Sequence, residues 1–195
     1  MRYRTRADLQ IVRPGDVDPE PWANGLGVTR VLAARPAWRI SLAEIEGRMP
    51  FSSFPGADRV LIPLDPAGVT LEVAGVEMRV PPHSGVAFRG EDRVVAETEG
   101  RRVSVVNLMS RRSSGRMRCE IRRATGPIDA EVDALVVLGG RVSAGADPLP
   151  RGTVVTAEAT SRVVVGAGGV IALLRVRLRP SGASARSGRA AGDRA

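Results

Sequence analysis

Trp38-Arg39-Ile40-Ser41-Leu42-Ala43-Glu44-Ile45-Glu46 is the clearest alternation in the chain. Trp38, Ile40 and Leu42 fall on one side of an extended segment, and Arg39, Ser41 and Ala43 on the other. A helix fits less well, because the period is two and Pro36 and Gly47 bracket the segment closely. Worked outward from here, the chain is a succession of short strands. Upstream, Thr29 to Ala34 reads as a strand stopped by Arg35-Pro36. Ile11-Val12 reads as a shorter one, ahead of the turn chemistry of Pro14-Gly15-Asp16 and Asp18-Pro19-Glu20-Pro21. Downstream, Gly47 to Gly56 reads as a loop in which Pro55-Gly56 suits the central pair of a type II turn.

Arg59 to Leu64 is nearly continuously apolar, as in a strand covered on both faces. Val69 to Val73 and Val76 to Val80 alternate on either side of Ala74-Gly75, a hairpin signature. Val86 to Phe88, Val94 to Thr98, Val103 to Met109, Met117 to Ala124, Ala134 to Leu138, Thr153 to Ala157, Arg162 to Val165 and Val170 to Leu178 continue the series. Turn signals at roughly ten-residue spacing predict an all-β sandwich or barrel. Arg111 to Gly115 is a crossover between a lobe of residues 1–112 and a second β lobe of residues 113–179. Residues 180–195 contain no aromatic or large aliphatic side chain, so they cannot offset ordering entropy and are expected to be disordered.

A length of 195 residues suits one compact domain or two small lobes. Net charge is +8, and all 29 basic residues are arginine. Much of the excess sits in residues 111–123 and in the tail. No aromatic residue is interleaved with either cluster, which disfavours a nucleic-acid partner. No apolar run is long enough for a membrane span. Residues 1–8 are basic without a following apolar stretch, so no secretory signal is read. The single cysteine, Cys119, excludes an internal disulfide framework and fits a reducing compartment, with the cytoplasm as the expected location.

Much familiar chemistry is missing. The one histidine, His83, lies in the turn Pro81-Pro82-His83-Ser84-Gly85 and reads as a surface residue, so a multi-histidine metal site within one chain is excluded. Cys119 reads as a buried structural thiol. There is no nucleophile elbow, phosphate-binding loop or dinucleotide fingerprint. Glu44/Glu46 and Glu91/Asp92 read as exposed acidic faces.

What remains is one crowded window. Aromatic residues make up 3% of the chain, yet Trp22, Trp38, Phe51 and Phe54 all fall within it. Arg39 and Ser41 project from one strand face and can together hold a carboxylate. Arg30 follows Thr29, and Arg59 follows the Pro55-Gly56 turn. Gly25 and Gly27 permit close backbone approach to a ligand. Singly, each arginine reads as the solvent side of an ordinary strand, and Trp22-Ala23-Asn24-Gly25 as a tight turn. Together they satisfy the needs of an apolar pocket with a few convergent polar groups.

In order and spacing, Trp22, Asn24, Gly25, Gly27, Thr29 and Arg30, then Trp38, Arg39, Ser41 and Ala43, then Phe51, Ser52, Phe54, Pro55, Gly56 and Arg59, and later Asn107 and Met109, resemble the HutD/Ves family. That family is linked to bacterial histidine utilisation and stress response, and the resemblance spans about residues 8–112. It implies a cupin-like fold of two small β-barrels, a homodimer, no cofactor, and a binding or regulatory role. The implied ligand is a small anionic metabolite such as formylated or iminated glutamate. Metal-independent turnover of a small acidic or sugar substrate is the alternative. The implied ligand set is Trp22, Asn24, Gly25, Thr29 and Arg30, with Arg39, Ser41, Arg59 and Asn107. Two departures stand out: Val31 replaces the usual Glu after Thr-Arg, and Val105-Val106 replaces Asp-Phe before the Asn.

Overall fold

The computed structural model describes residues 11–22 and 27–179, with Glu158 described in its backbone only. Asn24, Gly25 and the tail from residue 180 lie outside the described residues. In chain order the strands are β1 (Ile11–Val12), β2 (Glu20–Pro21), β3 (Val28–Arg35), β4 (Trp38–Pro50), β5 (Ala57–Pro63), β6 (Val69–Val73), β7 (Val76–Val80), β8 (Val86–Arg89) and β9 (Val94–Arg111). The second half adds β10 (Gly115–Arg123), β11 (Gly126–Pro127), β12 (Ala134–Gly139), β13 (Val142–Ala144), β14 (Asp147–Pro148), β15 (Val154–Thr156), β16 (Val163–Val165) and β17 (Val170–Leu178). Two short 3-10 turns, Pro14–Asp16 and Ala157–Arg162, are the helical elements among the described residues.

The fold is all-β and cupin-like. An eight-stranded sheet runs β2-β3-β4-β9-β5-β8, with the β6/β7 hairpin attached to β9. A five-stranded sheet runs β1-β15-β12-β17-β10 and a four-stranded one β11-β16-β13-β14. Among the described residues no sheet closes on itself, so the two expected barrels are instead packed layers with open edges. The alternation of apolar residues gives each main sheet two buried faces. Trp38, Ile40, Leu42, Ile62 and Leu108 of the eight-stranded sheet meet Ala134, Val136, Leu138, Ala172 and Leu174 of the five-stranded sheet in a shared central core. The other face of the five-stranded sheet packs Leu135, Val137, Ile171 and Leu173 on Val142, Val163 and Val165. The other face of the eight-stranded sheet packs Ala43, Ile45, Leu61 and Val105 under Val69, Leu71 and Val80 of the hairpin.

Three departures from the sequence pattern shape this arrangement. Gly47 does not begin a loop. It takes φ +71° at a bulge between Glu46 and Arg48, and β4 continues to Pro50. The segments expected as separate strands at Val94 and Val103 form one strand, β9, which turns at Glu99 (φ 54°) and Gly100 (φ 72°). The two bends lie side by side, since the Gly47 N–H donates to Thr98 Oγ1 at 2.7 Å. Both long strands thereby curl over their own inner face. Finally, β1 pairs with β15, so residues 11–12 of the first lobe complete the sheet of the second. Cross-lobe pairing of this kind leaves no local signal in sequence.

Candidate ligand-binding site

The inner face of the eight-stranded sheet is apolar where it curls and polar where it opens. Along β4, Ala43 and Ile45 are buried in the curl, while Ser41 and Arg39 follow at the two-residue spacing of one strand face. β9 sets Asn107 opposite Ser41 and Met109 opposite Arg39. On the far side of β9, β5 sets Arg59 opposite the same Met109. The register of three strands therefore brings Arg39 and Arg59, twenty positions apart in sequence, to flank one methionine. Thr29 and Val31 of β3 extend the wall, and Trp22, Phe51, Ser52 and Phe54 close it. The result is a hollow of about 210 Å³, with Glu20 and Pro21 at its rim.

Aromatic residues fix the polar groups. Trp22 meets Phe51 edge to face at 6.1 Å and donates from Nε1 to Thr29 Oγ1 at 2.7 Å. Gly27 is required behind it: a Cβ there would lie 3.0 Å from the Glu44 carbonyl oxygen and 3.2 Å from the Trp22 ring. The Arg59 guanidinium carbon lies 5.3 Å from both Phe51 and Phe54 and 4.9 Å from Phe88. That of Arg39 lies 5.8 Å from Phe54. Flat guanidinium groups stack on such rings and are held without losing their charge.

The electrostatics point one way. Arg59 is 5% exposed. Its Nη1 donates to the Ser52 carbonyl at 3.2 Å and its Nη2 to Asn107 Oδ1 at 3.3 Å, while Nε has no partner among the described residues. Burial, with Arg39 nearby as a second cause, lowers its pKa to about 10, so it remains charged at neutral pH. Arg39 donates from Nη2 to Met109 Sδ at 3.7 Å. Among the described residues neither arginine pairs with a carboxylate, whereas Arg30 on the opposite face of the same sheet pairs with Glu44. An isolated buried cation is costly to fold around, and an anion entering the hollow relieves that cost through short charge-assisted bonds.

Of the residues expected from sequence, Trp22, Thr29, Arg39, Ser41, Arg59 and Asn107 all line this hollow. Arg30 does not. It projects from the opposite face of β3, alternate to Thr29, and its Nη1 pairs with Glu44 at 3.0 Å. Glu44 and Glu46 also meet Arg102, and Glu91 pairs with Arg112, so these acids are salt-bridged rather than bare faces. Val31 and Met109 were not singled out as site residues, although each lies two positions from one that was, on the same strand face. Val31 matters because it is the position where the family pattern carries Glu. The other departure, Val105-Val106, is wholly core. No group of three or more His, Cys, Asp or Glu side chains among the described residues could hold a metal. The two guanidinium groups also make the hollow itself a poor cradle for a cation. Cys119 is half-buried, and burial beside Glu120 raises its pKa to about 11, so it is a protonated thiol.

Comparison with known proteins accounts for the pattern. The HutD family profile matches residues 15–172. The chain belongs to the HutD family. Among curated relatives, an uncharacterized 21.2 kDa protein in the hutC 3′ region of Pseudomonas putida is 32% identical over 111 residues, 53% of this chain and 58% of that one. Protein Ves of Cronobacter sakazakii is 37% identical over 110 residues, 53% of this chain and 60% of Ves. The match thus spans about three fifths of those relatives. Among solved structures, a conserved protein of unknown function from Pseudomonas aeruginosa PAO1 has a TM-score of 0.73 at 23% identity, covering 87% of this chain and 98% of its own. HutD from Pseudomonas fluorescens SBW25 has a TM-score of 0.71 at 21% identity with the same coverage. A Cupin 2 conserved barrel domain protein from Leptotrichia buccalis, at 0.52 and 14% over 77% of this chain and 89% of its own, extends the likeness to cupins at the level of fold. No helix among the described residues is long and apolar enough to cross a membrane.

Proposed function

We propose that this protein is a receptor for a small carboxylate-bearing metabolite, through which it modulates the breakdown of histidine or a related amino acid. One observation carries the proposal: Arg39 and Arg59 face a common hollow of about 210 Å³ without a carboxylate partner among the described residues. A forked guanidinium recognises a carboxylate through paired hydrogen bonds, and two of them with Asn107 and Ser41 provide enough donors for one anionic head. The ring walls of Trp22, Phe51 and Phe54 suit the aliphatic or unsaturated body of such a metabolite. The choice of pathway is supported by the name of the family and by the hutC 3′ location in the name of the Pseudomonas putida relative.

The test is thermal unfolding of the purified protein with formylglutamate, glutamate and urocanate. A ligand present at about 100 times its Kd stabilises the native state by about 2.7 kcal/mol, several degrees in midpoint. At least one of the three is expected to raise the midpoint at millimolar concentration, and Arg39→Ala is expected to abolish the rise. An unchanged midpoint with all three overturns the proposal.

A further inference from the structure

Outside the ligand hollow, the five-stranded sheet ends on a strand that is paired on one side only. β10 is in register with β17 from Gly115↔Leu178 to Arg123↔Val170, and among the described residues no strand lies on its other side. Every second residue of such an edge presents its N–H and C=O outward. The side chains of β10 alternate. Met117, Cys119 and Ile121 turn toward the central core, and Arg116, Arg118, Glu120 and Arg122 occupy the opposite face.

That face is unusual in its charge. The register sets Arg116 opposite Arg177 and Arg118 opposite Arg175. Like charges directly opposite one another weaken a sheet. Glu120 is the one acid on this face of β10 and β17, and it is already shared by Arg122 at 2.8 Å and Arg175 at 3.4 Å. Arg116, Arg118 and Arg177 make no ion pair among the described residues. Charging an edge strand guards against aggregation, which would account for the arginines of β10. The same protection extends to Arg175 and Arg177, since β12 pairs with β17 only as far as Leu174; what it leaves over is that Arg116, Arg118 and Arg177 gather on one face without a counter-charge. A second feature lies on the other side of the edge: a hollow of about 560 Å³ beside Met117, walled by Val60, Ala87 and Phe88 together with the charged side chains Asp58, Arg59, Arg89 and Asp92.

We propose that β10 is a docking edge, which takes up an extended acidic segment of a partner protein as a sixth strand of the five-stranded sheet. Backbone hydrogen bonding along β10 supplies the geometry. Glu or Asp at alternate positions of the incoming strand meets Arg116, Arg118 and Arg177, and the residues between them face Met117, Val60, Ala87 and Phe88 in the mixed polar and apolar hollow beside the edge. The chain itself cannot supply this strand: residues 1–10 and 180–195 each carry three arginines and one aspartate. A second copy is disfavoured too. Antiparallel self-pairing centred on residue 118 or 119 sets an arginine against Glu120 twice, but also Arg118 against itself or Arg116 against Arg122 twice; centred on 120 it sets Arg118 against Arg122 and Glu120 against itself, so none of these registers matches all the arginines of β10. A nucleic acid would not use the backbone edge, would be repelled by Asp58 and Asp92 of the neighbouring hollow, and would find no aromatic ring on β10 or β17 for bases to stack on.

The experiment uses the full chain and a fluorescein-labelled peptide of alternating glutamate and valine, read by anisotropy and by hydrogen exchange of residues 115–123. Saturable binding with slowed exchange in that segment is expected. N-methylating alternate peptide amides is expected to weaken binding at least tenfold. The triple variant R116S/R118S/R177S is expected to weaken it on the order of tenfold, while its circular dichroism and cooperative thermal unfolding report that it is folded. A lysine–valine peptide is expected not to bind. The proposal is overturned if exchange in 115–123 is unaffected. It is equally overturned if the N-methylated peptide, the lysine–valine peptide or a 20-mer oligothymidylate binds as tightly as the glutamate–valine peptide.

Discussion

Between the five- and four-stranded sheets the inward side chains Leu135, Val137, Val155, Ile171 and Leu173 fill the space against Val142, Val163 and Val165. The inner face of the eight-stranded sheet begins the same way, with Ala43, Ile45, Leu61 and Val105, and then changes to Ser41, Arg39, Asn107 and Arg59. The two interiors have a common plan of layered strands and alternating side chains. One is packed for stability alone. In the other, apolar area has been exchanged for two guanidinium groups that nothing in the described chain neutralises. An exchange of that kind weakens the fold, so it singles out the second interior as the candidate functional site.

The comparison makes opposite predictions for the two interiors. Leu173 is fully buried in the apolar one. Leu173→Ala is expected to lower stability by about 2–5 kcal/mol in denaturant unfolding, while any carboxylate-induced rise in midpoint persists. Val31→Glu acts on the other interior by placing a carboxylate among the arginines, where the family pattern has one. The response to carboxylates is expected to disappear. The new ion pair depresses the folded pKa of that Glu below its ordinary value of about 4.3. Its stabilising contribution is therefore present above that pH and is lost as pH falls through the folded value.

Arg59→Met sharpens the contrast. The substitution keeps the length of the side chain and removes the buried charge. Ligand response is expected to vanish while stability stays within about 1 kcal/mol of the original or rises, since an unpaired buried ion is often better replaced by an apolar group. A stability loss as large as that of Leu173→Ala would mean that Arg59 is a structural brace and that the two interiors differ only in composition. A smaller change tests the wall: Trp22→Phe keeps the ring beside Phe51 but loses the donor to Thr29, an expected loss of about 1 kcal/mol.

Single strands of five or more residues were far easier to read in the sequence than the hollow, for a physical reason. Alternation is a local property, so the β6/β7 hairpin and β17 fall where the period-two pattern places them. The hollow depends on which strands pair. Arg39 and Arg59 meet because β4 and β5 both pair with β9, and Met109, fifty residues beyond Arg59, is the shared partner of both. The family resemblance implied Trp22, Ser41, Arg59 and Asn107 as a set, but it also included Arg30, whose position one residue from Thr29 puts it on the other face. The length of β4 and β9 escaped notice because a glycine at a strand bend and a glycine in a loop look alike until the bulge between Glu46 and Arg48 is seen.

The smallest expected effect concerns the joint between the two halves. His83, expected as a surface turn residue, has φ 57° and is half-buried, with its ring set against β12. A Cβ at Gly139 would lie 2.9 Å from both Cε1 and Nε2 of His83, so glycine there is what lets the ring approach. Burial, then the charge of Arg123 and, less strongly, that of Arg151, lower its pKa, against a hydrogen bond to the Leu138 carbonyl that raises it. With the folded pKa below the unfolded value of about 6.5, the unfolded chain binds more protons between the two. Stability is then unaffected by this residue above about pH 7 and declines as pH falls from about 6.5 toward the folded value. His83→Gln should remove only that decline. The unfolding midpoints of the variant and the original are expected to run parallel at alkaline pH and to separate below about pH 6.5, with the original falling more steeply. Parallel curves down to pH 5 would show that the arginines across the joint do not sense the imidazole, and that the two interiors are coupled through the central core alone.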